Sequence, residues 1–300
     1  MGIDLSVKLG RIEMKNPVMT ASGTFGYGEE YNQLMDISKL GAIVTKSITL
    51  NPRIGNPSPR IAETASGMLN SIGLQNVGVE KFVIEKLPFL RKTRVPVIVS
   101  IAGDRTAEYV EIARRLNTEE GISGIELNIS CPNVEEGGME LGTSPRLTSM
   151  VVNRVRKVTK STLIAKLSPN VTDIVTIAKA AEEGGCDALS LVNTFLGMAI
   201  DVKEKKPKLA NITGGLSGPC IKPIALRMVW QVSRAVKLPI IGMGGIMDSA
   251  DAIEFIMAGA AAVAIGTGNF VNPMTAIEVI DGIKKYMGEN KVNRIVDIKI

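Results

Sequence analysis

The sequence predicts an α/β fold, a (β/α)8 TIM barrel, on three observations. Short runs rich in β-branched residues alternate with longer segments whose apolar residues recur at helical spacing. Eight such runs occur along the 300 residues, and eight units close a barrel more naturally than an open sheet. Glycine pairs follow the last two runs, where barrels bind phosphate. Barrels routinely reach this length as one unit, so residues 1–300 are expected to form a single domain.

The chain opens with an expected β-hairpin, 5–9 and 12–14, around Gly10-Arg11. The barrel strands are expected near 17–21, 42–47, 96–102, 124–130, 162–167, 187–193, 239–243 and 261–266. Between them Tyr109/Ile112/Ala113/Leu116, Ile174/Ile177/Ala178/Ala181 and Ala225/Val229/Val232/Val236 form apolar stripes suited to outer helices. After strand six an insertion from 195 to about 218 alternates through Met198, Ile200 and Val202 and turns at Lys203-Glu204-Lys205-Lys206-Pro207. It reads as a β-hairpin with a solvated, charged tip. Long loops at 49–74 and 131–145 are rich in Pro and Gly or in Gly. Loops of that length tend to be functional, and in a barrel they lie at the C-terminal face where sites assemble.

Composition narrows the chemistry. Hydrophobic residues at 45% and charged residues at 22% are those of an ordinary globular protein. A net charge of +5 without a basic tract, and aromatics at 4%, give no nucleic-acid footprint. Cysteines at 131, 186 and 220 are too few and scattered for a disulfide framework or a metal cluster, which suggests a reducing cytoplasmic setting and no metal. No secretory leader pattern and no apolar run of membrane-spanning length is present, so no membrane association is expected. Histidine is absent, which removes imidazole acid–base chemistry and leaves Cys, Asp, Glu, Lys, Tyr or Ser to move protons.

Several residues stand out against this background. Gly242-Met243-Gly244-Gly245 and Gly266-Thr267-Gly268 end strands seven and eight and lead to residues suited to helix starts, Asp248-Ser249 and Asn272-Pro273. Either pair alone would serve as a tight turn; together they point to bound phosphate. Neither pair matches a dinucleotide or P-loop fingerprint. Lys46 and Lys166 interrupt apolar strands, so their ammonium groups are expected to face the barrel mouth and an anionic or flavin partner, with structural ion pairing as the alternative. Cys131 directly follows strand four; a lone cysteine is often inert, but at a functional loop its thiol suits general-base work. Asn70, Asn128, Asn133 and Asn193 fall at or beyond strand ends, where amides can hold the N–H and C=O edge of a cyclic imide or simply form turns.

Taken together, Asn70-Ser71-Ile72-Gly73-Leu74, Asn128-Ile129-Ser130-Cys131-Pro132-Asn133, Asn193-Thr194, Gly214-Gly215-Leu216-Ser217-Gly218, Gly242-Met243-Gly244-Gly245 and Gly266-Thr267 resemble the class 1 dihydroorotate dehydrogenases over nearly the whole chain. The resemblance implies an FMN-binding barrel in which Cys131 removes the C5 proton of dihydroorotate while hydride passes from C6 to the flavin. It implies substrate contacts from Lys46, Asn70, Ser71, Ile72, Gly73, Leu74, Asn128, Asn133, Asn193 and Thr194. It implies FMN contacts from Ser22, Lys46, Ser47, Ser100, Asn128, Lys166, Val192, Gly218, Gly244, Gly245, Gly266 and Thr267, with Ser100 standing where many relatives carry asparagine.

The quinone-linked class uses serine as base and has an N-terminal membrane-associated extension, whereas this sequence has Cys131 and reaches its hairpin almost at once. The segment from Asn193 to Gly218 is similar to the NAD-linked form, class 1B. That likeness implies a homodimer joined to electron-transfer subunits carrying FAD and a [2Fe–2S] cluster, hence a heterotetramer. A fumarate-linked class 1A enzyme, a flavin-dependent dihydropyrimidine dehydrogenase, a Schiff-base aldolase using Lys166 and a non-catalytic phosphate-binding barrel are the alternatives.

Overall fold

A computed structural model describes residues 2–130 and 141–298. Eight parallel strands form its centre: β1 (Val18–Thr20), β2 (Ile43–Val44), β3 (Val97–Ile101), β4 (Gly124–Asn128), β5 (Thr162–Lys166), β6 (Ala188–Leu191), β7 (Ile240–Met243) and β8 (Ala262–Ile265). Each falls inside a run expected from the sequence. The sheet runs β1-β8-β7-β6-β5-β4-β3-β2, and a parallel bridge between Met19 and Ala42 joins its two ends. The seam is short, and a side chain completes it. The Thr20 hydroxyl donates to the Val44 carbonyl and accepts from the Val44 N–H at 2.9 Å, standing in for ladder bonds that the two-residue β2 does not supply. The architecture is a (β/α)8 barrel.

Strands buried on both faces read as continuous apolar runs, as parallel strands enclosed by helices do. One face packs outward on α1 (Thr106–Leu116), α2 (Pro145–Arg156), α3 (Ile174–Gly184), α4 (Lys222–Ser233), α5 (Ser249–Met257) and α6 (Thr275–Glu289). The expected stripes on α1 and α3 are buried throughout, while Val236 lies beyond the end of α4 and is half-buried. Asp173 caps α3 by accepting the Val175 N–H, and Gly185 ends it in the left-handed region at φ 92°. Inside the barrel Met19, Val44, Ile98, Ile164, Ala188, Ile241 and Ala262 pack with Leu9, Ile12 and Met14. Those last three come from the opening hairpin, Val7–Leu9 and Ile12–Met14. It closes the N-terminal end of the barrel, with the Arg11 N–H donating to the Thr162 hydroxyl at 3.0 Å.

At the opposite end lies a sheet that the sequence only half announces. The insertion after β6 forms the expected hairpin, Phe195–Met198 against Thr213–Ser217, with a smaller pairing of Ile200–Asp201 and Lys206–Pro207 and an exposed Lys203–Lys206 tip. The loop after β2 contains a second hairpin, Ile61–Thr64 and Gly67–Asn70, which joins the first through Gly67–Asn70. This four-stranded antiparallel sheet stands over the barrel mouth. The helix expected to start near Asn272 is instead two, a short Gly268–Val271 helix and then α6. Among the described residues no helix is long and apolar enough to cross a membrane.

Candidate active site

A cavity of about 490 Å³ opens at the C-terminal ends of the strands beneath this sheet. Its wall gathers residues from almost every strand end. Ser22, Lys46, Ser47, Asn128, Lys166, Val192, Asn193 and Thr194 reach it from the barrel. Asn70, Ser71, Ile72, Gly73 and Leu74 reach it from the loop after β2. Gly218, Gly244, Gly245, Gly266 and Thr267 form its far end. Two expected residues, Cys131 and Asn133, lie outside the described residues. Ser130, the chain neighbour of Cys131, lines the cavity.

Ser100 is placed differently from the rest. It is fully buried in β3 behind the wall, and its hydroxyl hydrogen-bonds that of Ser47 at 2.9 Å. Its link to the cavity wall runs through Ser47. From there a polar chain continues along the wall: Asn128 Nδ2 donates to Ser47 Oγ at 3.2 Å, and Asn193 Nδ2 donates to Asn128 Oδ1 at 3.2 Å and Ser130 Oγ at 3.1 Å. Asn193 Oδ1 accepts the Thr194 N–H at 2.8 Å, and Asn70 Nδ2 donates to the Gly215 carbonyl at 3.2 Å. Linked amides fix one another's donor and acceptor directions, which prepares the wall for a ring bearing N–H and C=O groups.

The two lysines have different surroundings. Lys166 is 5% exposed and donates from Nζ to Ser22 Oγ at 2.9 Å, joining β5 to the loop after β1 across the barrel mouth. Lys46, just beyond β2, has no hydrogen-bond or ion-pair partner for its ammonium among the described residues. Burial, followed by the nearby Arg60 guanidinium, holds its pKa below the ordinary lysine value. A half-buried cation beside a second cation favours an anion in the cavity. Ser71, 8% exposed, adds a hydroxyl with no hydrogen-bond partner among the described residues. The loop bearing it is rigidly held: Asn56 Nδ2 donates to the Ser71 carbonyl at 3.0 Å, and the Asn56 N–H to the Ile72 carbonyl at 3.1 Å.

The far end is built from backbone. Gly218, Gly244 and Gly245 have φ of 100°, 123° and 79°, a region that disfavours side chains. A Cβ on Gly245 would lie 2.8 Å from the Gly218 carbonyl oxygen and 3.0 Å from the Lys222 nitrogen. Thr267 Oγ1 donates to Ser217 Oγ at 2.8 Å and ties this end to the overlying sheet. Main chain approached this closely by nothing larger than hydrogen suits a phosphate. Sequence reasoning missed Ile61, Met68, Ile221 and Phe270, which supply apolar wall. Only Phe270 had a visible signal, an aromatic residue two positions after the second glycine pair.

Of the other cysteines, Cys186 sits just after the turn that ends α3, and its thiol is pushed up to about 12 by burial and the Asp187 charge. Cys220 lies in a short 3-10 turn, Pro219–Ile221. Both are free thiols.

A dihydroorotate dehydrogenase family model matches residues 4–287. The chain is 56% identical over 295 residues to the protein of Pelobacter propionicus named dihydroorotate dehydrogenase B (NAD(+)), catalytic subunit, covering 98% of this chain and 97% of that one. Proteins of the same name from Trichlorobacter lovleyi and Thermoanaerobacter pseudethanolicus are 56% and 55% identical, over 96% and 99% of this chain and 95% and 98% of theirs. The chain therefore belongs to the dihydroorotate dehydrogenase family.

Proposed function

We propose that this protein oxidises (S)-dihydroorotate to orotate in pyrimidine (UMP) biosynthesis, with FMN as the immediate electron acceptor and NAD+ as the final one. The observation that carries this reading is the single cavity itself. One end offers an ammonium without a partner among the described residues and a chain of amides, the other a glycine cradle, and a flavin phosphate with a carboxylated pyrimidine needs both.

The residues fit FMN. Gly218, Gly244, Gly245, Gly266 and Thr267 would hold the phosphate, and Ser22, Ser47, Val192 and Lys166 the isoalloxazine and its pyrimidine edge. When bound, FMN supplies the two-electron acceptor for the hydride that leaves C6. The chain does the rest. Lys46 binds the substrate carboxylate, and Asn70, Asn128, Asn133 and Asn193 orient the ring, with Ser71 to Leu74 and Thr194 closing around it. Cys131, as thiolate, takes the C5 proton, so that proton and hydride leave adjacent carbons and a C5=C6 double bond forms. Its assignment rests on its motif and on its neighbour Ser130 at the cavity wall.

The names of the relatives favour the NAD-linked form over the fumarate-linked one. A catalytic subunit requires a companion, which we take to be an electron-transfer subunit carrying FAD and a [2Fe–2S] cluster, in a heterotetramer built on a homodimer of this chain in the cytoplasm. The test is the visible spectrum of the purified chain before and after anaerobic dihydroorotate. Flavin absorbance that bleaches supports the oxidative half-reaction. Absorbance that stays unmoved points to another substrate, and a chain that does not take up FMN overturns the reading.

A further inference from the structure

Behind the glycine cradle, and outside the cavity wall, lies an ion pair that the reaction itself does not use. Asp251, in the first turn of α5, has a side chain 15% exposed. Its two carboxylate oxygens serve two different elements. Oδ1 accepts from Lys222 Nζ at 2.6 Å, at the start of α4, and Oδ2 accepts the Met247 N–H at 2.9 Å, in the loop that follows Gly244 and Gly245. Lys222 meets that loop a second time, since its nitrogen and Cβ are the atoms, with the Gly218 carbonyl, against which Gly245 is pressed.

Helix capping explains only part of this arrangement. Asp248 already caps α5 by accepting the Asp251 N–H at 3.0 Å, and a carboxylate at Asp251 reaching back to the main chain completes a variant of the capping box. Nothing in capping calls for a half-buried lysine from another helix. The ion pair fastens the two walls of the cradle to each other, so the spacing between the Gly218 turn and the Gly244–Gly245 turn depends on Asp251.

We infer that Asp251 and Lys222 are positioning residues for the phosphate of the cofactor: they touch no ligand but set the distance between the two backbone turns that hold it. The inference rests on the FMN reading above. It differs from a general structural role in one respect. A bracket that sets phosphate geometry matters for FMN and not for riboflavin, which carries the same ring without the phosphate.

The experiment is a flavin-fluorescence titration of the flavin-depleted full chain with FMN and with riboflavin. Asp251→Ala and Lys222→Met are expected to weaken FMN binding about tenfold or more and riboflavin binding less than about twofold, tenfold being about 1.4 kcal/mol. Glu254→Gln is the control. Glu254 also pairs with Lys222, at 2.9 Å, but its side chain is 44% exposed and it accepts no hydrogen bond from the loop, so its loss is expected to change neither affinity. Equal weakening toward both flavins in the Asp251 and Lys222 variants reduces the pair to a helix cap and overturns the inference, as does unchanged FMN affinity. Should Asp251→Ala fail to fold, Asp251→Asn keeps an acceptor for Met247 while giving up the ion pair, and the same selective loss is required of it. A wild-type chain that binds neither flavin overturns the FMN reading and the bracket with it, an outcome distinct from a wild type that binds FMN beside an indifferent variant.

Discussion

Lys46 holds a positive charge where burial and Arg60 both oppose it, and that opposition fixes the sign of its pH effects. Between its lowered folded pKa and the ordinary value of 10.5 the unfolded chain binds more protons than the folded one. Stability of the ligand-free protein therefore rises with pH across that window. Lys46→Met is expected to remove that rise, read as the difference between the two denaturation midpoints from pH 8 upward; parallel profiles would contradict it. With an anionic substrate bound, the ammonium gains a partner of opposite charge. The same variant should then raise KM for dihydroorotate about tenfold or more, since hydrogen bonds to charged groups contribute roughly 1.5–3 kcal/mol. Cys131→Ala should stay yellow yet lose substrate-driven bleaching at neutral pH by a factor of about 10²–10⁴. Cys186 cannot replace it, because its buried thiol has its pKa near 12 and is no thiolate at neutral pH. Most of these residues were legible in the sequence because a polar group at the end of an apolar strand has few places to go. Ser100 was the exception: it was named from the family resemblance alone, as a serine where many relatives carry asparagine, and its hydroxyl stops one hydrogen bond short of the cavity, behind Ser47.

At the scale of elements, the eight strands and three of the outer helices were visible because each carries its own local pattern, and the structure returns all eight strands within the expected ranges. The hairpin Ile61–Thr64 and Gly67–Asn70 was not. Its inner strand pairs with Thr213–Ser217, far along the chain, and contains a glycine, so neither composition nor alternation marks it. That pairing carries functional weight, because Asn70 and the Ser71–Leu74 loop hang from its end. A Cβ on Gly67 would collide with the Ser217 carbonyl oxygen and lie 2.8 Å from Cys220 Sγ. Gly67→Ala is therefore expected to part the two hairpins, costing about 1–3 kcal/mol as overpacked sites do. It should raise KM for dihydroorotate more than it lowers FMN content. Steady-state kinetics beside a flavin-to-protein absorbance ratio would check this, and loss of FMN with unchanged KM would show that the sheet supports the cofactor end instead.

At the scale of the whole molecule, the barrel gives a floor and the paired hairpins a roof, with strand ends supplying chemistry from all sides between them. The same construction limits what the chain does by itself. Its glycine pairs fit a phosphate but match no dinucleotide fingerprint, and the cavity at its strand ends is the one already proposed for flavin and substrate. On the proposed function, electrons placed on FMN leave through another protein before NAD+ accepts them. The chain alone is expected to bleach with dihydroorotate and to reduce an artificial dye, yet to form no NADH above background at 340 nm. Adding an electron-transfer subunit that carries FAD and a [2Fe–2S] cluster should restore NADH formation in proportion to the amount added, until the two chains are equimolar. NADH formed by the isolated chain would remove the need for a companion and put a second nucleotide site on this barrel. Dye reduction that no such subunit converts into NADH, with fumarate accepting the electrons instead, would leave the dihydroorotate chemistry standing and move the chain to the fumarate-linked branch of its family.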